Sequence, residues 1–353
     1  MELKKRILVA PLNWGLGHAT RCIPIINALI NHNYEPIIAS DGIALQFLKK
    51  EFPDLKAIEL PSYNIKYPKK ENHFKWKLLK DAPKIIKVIN AEIKAIKTIV
   101  ERFNISGIIS DNRFGVYSNT IPSVYITHQL KVLSGNTTWM SSKIHQNIIK
   151  KFDECWIPDV ENEPSLSGDL CHLKKHKFNL KYIGALSRFN KIECDIVYDL
   201  LVLLSGPEPQ RTIFETLLLK QLKTYNGKVL FVKGVVEEQQ ILSKKNHITI
   251  YNFMQSAALE KAINESKIVL SRSGYTTIMD LAKLNKKAFF IPTPGQFEQE
   301  YLAKRFKKLK LVPTSNQKDF KIEMLNSVSL YEGLQTVNSD INFTTLFCLF
   351  QRE

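Results

Sequence analysis

Runs of four or five apolar residues recur along the whole sequence, each followed by a polar turn and then an amphipathic stretch. This alternation constrains the fold more than any other feature. A strand apolar at every position must be covered on both faces, and the helices that join parallel strands provide that cover. In the first half the runs are Ile7–Ala10, Pro36–Ser40, Ala57–Leu60, Gly107–Ser110, Ser123–Thr127 and Glu154–Ile157. From Phe74 to Phe103 apolar side chains recur at spacings of three and four, which predicts a long amphipathic helix that Pro83 should kink or restart.

Around Tyr182–Asp199 the pattern lapses, and afterwards it resumes with strands at Leu200–Leu204, Lys228–Val232, Ile248–Tyr251, Ile268–Leu270 and Ala288–Ile291. Helices are expected near Thr212–Leu222, Ser256–Asn264, Thr276–Leu284 and Glu298–Lys307. With 353 residues, 44% of them hydrophobic, the chain has material for two packed domains. Their expected bounds are 1–185 and 195–335, with a last helix at about 340–353 packing back on the first domain.

No run approaches the ~18 apolar residues that a membrane-spanning helix needs. The start of the chain reads as a first strand rather than a signal segment. Five widely spaced cysteines without a Cys-x-x-Cys pair exclude the usual zinc spacing and point to a reducing, cytoplasmic compartment. A net charge of +16 attracts polyanions in general. Zinc-finger spacing, an RNP signature and a heptad-linked basic helix are all missing, so specific nucleic-acid binding is not expected.

The first strand empties into Asn13-Trp14-Gly15-Leu16-Gly17-His18, just ahead of an expected helix. Glycines there let main-chain N–H groups approach an anion, and a helix start adds partial positive charge. The spacing is neither the dinucleotide fingerprint nor a P-loop. His18 is placed at the lip of this loop, before the helix, where an imidazole can take a proton near neutral pH; its alternative is a capping or packing histidine.

A second constellation follows the buried run Ile268–Leu270. Arg272-Ser273-Gly274 forms a polar turn, Thr276 and Thr277 open a helix, and Asp280 lies further along it. The turn amides and threonines suit a diphosphate, and the aspartate suits ribose hydroxyls. An N-cap serine and a solvated aspartate are the plainer alternative. Downstream, Pro292-Thr-Pro294-Gly295-Gln296-Phe-Glu298-Gln299 joins another strand to another helix, and Gln296, Glu298 and Gln299 there offer the donors and acceptors a sugar needs.

Taken together, Arg272–Asp280 and Pro292–Gln299 resemble the glycosyltransferases of family 28, whose fold is GT-B: two Rossmann-like β/α/β domains with a cleft between them. The resemblance implies an acceptor loop at Asn13, Gly15, Gly17 and His18, with His128 after the fifth strand. It implies donor contacts from Arg211 to the phosphates, Asp280 to ribose, Phe253 and Met254 to the base, and Gln299 to the sugar. The sequence departs from the peptidoglycan enzyme of that family in its first loop and in Thr127-His128-Gln129, so a divergent relative with another acceptor is expected.

The implied reaction is an inverting transfer from a nucleotide sugar, UDP-linked by the resemblance, to a hydroxyl of a glycan or lipid-linked acceptor. His18 is the first candidate base and Asp111 the second. No Asp-x-Asp occurs, so a reaction without metal or cofactor is expected. A sugar-nucleotide epimerase or hydrolase on the same fold is the rival reading. Lys66, Lys69, Lys70, Lys75, Lys77, Lys80, Lys84 and Lys87 surround Tyr67, Phe74 and Trp76, a composition that suits peripheral contact with an anionic membrane or simply a solvated surface.

Overall fold

In the computed structural model the described residues are 4–63, 74–173, 176–206, 208–335 and 341–351. Lys66, Tyr67, Lys69 and Lys70, named above, lie outside them, as do the side chains of Phe74, Lys75, Trp76, Lys77 and Lys80. The chain divides into two units, one of Met1–Ile65, Lys75–Leu186 and Val337–Glu353, the other containing Ser187–Thr336.

The first unit runs β1 (Arg6–Pro11), α1 (Gly17–Asn31), β2 (Glu35–Ser40), α2 (Gly42–Glu51), β3 (Ala57–Glu59), α3 (Phe74–Phe103), β4 (Ile105–Asp111), β5 (Ser123–Ile126), α4 (Thr138–Ile149), β6 (Glu154–Ile157) and β7 (Leu180–Tyr182). Among the described residues these strands form a parallel seven-stranded sheet in the order β3-β2-β1-β4-β5-β6-β7. The order reverses beside β1, so the connections from β1 and β4 leave to opposite sides and open a crevice at their carboxyl ends. Leu8, Ala10, Ile37 and Ile108 of the sheet pack with Ile96 and Ile99 of α3. That contact follows from the apolar stripe read in the sequence, and α3 runs through Pro83 as one element rather than restarting there.

The second unit runs β8 (Tyr198–Leu203), α5 (Gln210–Gln221), β9 (Val229–Val232), β10 (Leu242–Lys245), β11 (Ile248–Tyr251), α6 (Ser256–Asn264), β12 (Ser266–Ser271), α7 (Tyr275–Lys283), β13 (Ala288–Phe290) and α8 (Phe297–Lys308). The sheet order is β10-β11-β9-β8-β12-β13, parallel except for β10 against β11, and it reverses beside β8. Its core gathers Leu200, Val202, Phe231, Leu270 and Phe289 with Phe214 and Leu218 of α5. Strands β7 and β10 were not expected. Both are edge strands, and β10, exposed at every residue, has no apolar run to announce it.

The expected last helix is a short α9 (Phe343–Phe347) continued by a 3₁₀ turn over Cys348–Gln351, and it belongs to the first unit. Phe347 stands edge-on to Tyr34, 5.7 Å between ring centroids, and the Tyr34 hydroxyl donates to the Phe347 carbonyl. Phe350 is buried against Trp156 and fills the space that a side chain at Gly107 of β4 would need. Phe350→Ala should therefore cost the first unit about 3–5 kcal/mol, the usual loss for a buried Phe truncated to Ala. Urea unfolding followed by tryptophan fluorescence measures it, and a loss below 1 kcal/mol would show that the tail is dispensable.

Candidate active site

Side chains gather at the carboxyl ends of the central strands of the first sheet, where β1 and β4 are neighbours in register from Ile7↔Gly107 to Pro11↔Asp111. Asp111 ends β4 with its carboxylate fully buried. Arg21 of α1, itself buried, binds both carboxylate oxygens through Nε and Nη2. His18 Nδ1 lies 2.8 Å from Asp111 Oδ1. An ionised carboxylate only accepts, so Nδ1 carries the proton in that contact and Nε2 keeps its lone pair; Arg21 Nη2, 2.9 Å from the same Nδ1, then makes no hydrogen bond to it and donates to Asp111. Arg21 Nη1 donates to His128 Nδ1 at 2.7 Å, which brings the segment after β5 into the same group.

Burial pushes the Asp111 carboxyl up, but the Arg21 cation and then His18 outweigh it and hold the group well below the usual carboxylate range. Burial lowers the His18 imidazole; Asp111 opposes the shift and Arg21 adds to it, leaving the ring neutral at neutral pH. The site therefore offers a neutral imidazole, 15% exposed, oriented by a buried anion. Two expectations change. His18 lies inside the first turn of α1, which begins at Gly17, rather than before the helix. Asp111 is not available as an alternative base: it is buried and its oxygens are engaged, so it orients His18.

Asn13 spans from the first loop to the next one: its Nδ2 donates to Asp41 Oδ2 at 3.1 Å and its Oδ1 accepts from the Ala44 N–H. Asp41 in turn pairs with the buried Arg113, whose Nε donates to Glu92 at 2.8 Å. Gly15 holds φ of +77° with no neighbour within 4 Å of where a Cβ would stand, so backbone conformation rather than crowding asks for glycine there.

In the second unit the turn between β12 and α7 sits beside β8, again where the strand order reverses. Gly274 caps α7, and where its Cβ would stand the nearest neighbour is the Thr277 hydroxyl at 4.0 Å, so the approach to the helix start is open. Thr276 and Thr277 are half-buried in its first turn. Ser273 is fully buried, and its hydroxyl donates to the Gln299 carbonyl at 2.8 Å. Gln299 Oε1 accepts from the Thr293 N–H at 2.8 Å, which ties the loop before α8 to that helix. Gln296 sits at the N-cap of α8, and Glu298 lies in its first turn.

Asp280 is buried rather than solvated. It accepts from the Ser187 hydroxyl at 2.7 Å, and burial raises its pKa to about 6, with Arg188 and Ser187 opposing the rise.

Three expected donor contacts differ in the structure. Arg272 is 1% exposed, with its guanidinium 3.8 Å from the Phe214 ring centroid. It donates to the carbonyls of Ile291, Pro292 and Gln210 and to Gln317 Oε1. It is a brace between loops, too deep to touch a ligand. Arg211 is occupied by Glu208, Glu215 and the Lys233 carbonyl instead of standing open to a phosphate. Phe253 and Met254 are buried, so their rings and thioether are packed inward and only their main chain is left to meet a base.

Arg21, Ser187 and Arg188 escaped the sequence reading. Arg21 was within reach of it, because His18 and Arg21 stand three apart on one helix face. Ser187 and Arg188 lie in the aperiodic connection between the units, where no pattern points to them.

Two largely parallel sheets of these orders, and the solved structures they superpose on, give the GT-B fold. Residues 211–339 match the glycosyltransferase family 28 C-terminal domain, and the chain is a glycosyltransferase. Both stretches that carried the resemblance fall within the matched span. An uncharacterized glycosyltransferase of Methanopyrus kandleri is 22% identical over 304 residues, covering 82% of this chain and 84% of that one. Among solved structures, Arabidopsis thaliana UGT89C1 complexed with UDP-L-rhamnose superposes with a TM-score of 0.60 at 11% identity over 99% of this chain and 94% of that one. MurG of Acinetobacter baumannii gives 0.52 at 12%, covering 99% and 92%.

The raised Asp280 pKa predicts a stability effect. An aspartate titrating at about 6 when folded and at about 3.9 when unfolded destabilises the fold as pH rises between those values, and fully above the higher one. Asp280→Asn, which keeps an acceptor for Ser187, should stabilise the ligand-free protein at pH 8 by at most about 3 kcal/mol, with no gain at pH 3.5. Denaturant unfolding at the two pH values measures the difference, and an equal effect at both would exclude the titration.

Proposed function

We propose that the chain catalyses an inverting, metal-independent transfer of a sugar from a UDP-linked donor to a hydroxyl of a glycan or lipid-linked acceptor, with His18 as the base. The observation that carries this is the His18–Asp111–Arg21 arrangement. Asp111 orients the ring and stabilises the imidazolium as it forms, while Arg21 keeps Asp111 ionised and the resting imidazole neutral. The acceptor oxygen gives its proton to Nε2 and attacks the anomeric carbon, and the bond from that carbon to the diphosphate oxygen breaks with inversion.

The leaving diphosphate gains negative charge, for which the N–H groups at the start of α7 supply fixed dipoles behind Ser273 and Gly274. Asp280 accepts from ribose hydroxyls, and Gln296, Glu298 and Gln299 face the sugar. The UDP assignment is supported by the relative complexed with UDP-L-rhamnose and by the family 28 match. A peripheral, cytoplasmic-side location fits an acceptor carrying a lipid, and no described helix is long and apolar enough to cross a membrane.

Protection against melting by UDP, dTDP and GDP ranks the donor base, with UDP expected to protect most. Release of UDP from a UDP-sugar, with water as surrogate acceptor, should fall about 10²–10⁴-fold in His18→Ala while protection by UDP persists. Turnover equal to wild type in that variant would remove His18 as base. The rate of the intact enzyme should fall as pH drops through the His18 pKa, which lies below the ordinary value of 6.5, because the protonated ring has no lone pair to give.

A further inference from the structure

An aspartate at a helix N-cap ordinarily accepts from a main-chain N–H two or three residues on, and Asp41, at the N-cap of α2, does not. The cap comes from another part of the chain: Asn13 Oδ1 accepts from the Ala44 N–H at 3.2 Å. Asp41, 2% exposed, turns its carboxylate inward instead, accepting from Arg113 Nη1 at 2.6 Å on Oδ1 and from Asn13 Nδ2 at 3.1 Å on Oδ2. A carboxylate only accepts and a main-chain N–H only donates, so the Asn13 amide fits between them in one orientation. Gly42, at φ +50°, makes room for it, since a Cβ there would collide with that amide.

Behind Asp41 the contacts continue inward. Arg113, fully buried, gives Nε to Glu92 Oε1 at 2.8 Å and Nη2 to the Pro61 carbonyl at 2.5 Å. Glu92 Oε2 accepts from the Gly115 N–H at 2.9 Å and from the Tyr63 hydroxyl at 2.5 Å. One cation thus stands between two buried carboxylates, held from α3 and from the segments after β3 and β4. Apolar packing of equal volume would serve stability as well; what this cluster adds is one fixed geometry at Asp41, and through it at Asn13.

Asn13 opens the loop that leads to His18. Just before it, the Leu12 N–H donates to the Asp111 carbonyl at 2.9 Å, and beyond it Arg21 binds the Asp111 carboxylate. Both ties end on Asp111, and a loop carrying Gly15 and Gly17 can pivot about a single residue. The contact with Asp41 is a tie to a different element, away from that pivot. We infer that Asn13 and Asp41 are positioning residues: their amide–carboxylate latch holds Trp14–Gly17 in one place, so that His18 Nε2 meets the acceptor oxygen. Asn13, expected from the sequence in an acceptor loop, acts through Asp41 rather than by touching the acceptor. The inference rests on the reading of His18 as base given above.

Hydrogen–deuterium exchange and UDP release from UDP-glucose into water, both on the full chain, test it. Asn13→Asp sets two carboxylates against each other, and exchange across residues 12–19 should quicken about tenfold. UDP release should fall about tenfold to a hundredfold, while melting protection by UDP, assigned above to the second unit, stays at wild-type level and reports an intact fold. Adding Asp41→Asn re-forms the contact with donor and acceptor exchanged, and should return both readings most of the way to wild type. A single variant that exchanges and turns over like wild type would overturn the latch. Quickened exchange with unaltered UDP release would mean a structural cap only and overturn the positioning role. A double variant no better than the single one would also overturn it, leaving Asn13 as an acceptor contact. If the wild type releases no UDP, the reaction proposed above fails, and exchange in the single and double variants alone decides the latch.

Discussion

A carboxylate with no access to water stays ionised only if its neighbours make that cheaper than protonation, and Asp111 meets this condition through Arg21. The pair fixes more than a charge. Arg21 belongs to the helix after the first strand and Asp111 ends the strand beside it, so their contact joins the two connections that diverge at the sheet's reversal. His18, one turn earlier on the same helix, takes its orientation from this contact, and His128 is drawn in from the next strand. Removing either ionic partner would leave an uncompensated charge in a buried place, a much larger loss than that of a surface pair. Chemistry and local folding therefore depend on the same two groups.

The second unit solves a related problem without a carboxylate. Arg272 is buried among carbonyl oxygens, a glutamine and an aromatic face, and burial alone lowers its pKa to about 9. Its Nε has no hydrogen-bond partner among the described residues. The guanidinium links the turn after β12, the loop after β13 and the start of α5, all at the end of the sheet where an anion is expected to sit. No carboxylate pairs with it among the described residues, so its positive charge suits the diphosphate site proposed above.

Much of this was legible in the sequence because apolar runs and helical stripes report burial directly. Every central strand was anticipated within a residue or two, and so were the three loops that carry polar groups. What escaped was of three kinds. Edge strands such as Leu242–Lys245 are stabilised by one neighbour's hydrogen bonds and need no apolar side chains. Roles such as those of Arg272 and Arg211 depend on which acceptors lie nearby in space: a motif places an arginine at a turn, but only packing decides whether it faces a ligand or a carbonyl. The Ser187–Asp280 contact brings a connection without periodicity onto a helix about ninety residues later, a separation across which sequence spacing carries no signal.

The return of Phe347 and Phe350 to the first unit makes the second unit an insertion within it. During synthesis, the whole six-stranded sheet emerges before the aromatic plug that closes the space over Gly107. The second unit can therefore mature on the ribosome while the unit bearing His18 still waits for its last turn, and a fusion or cut near the carboxyl terminus would be felt at the unit made first.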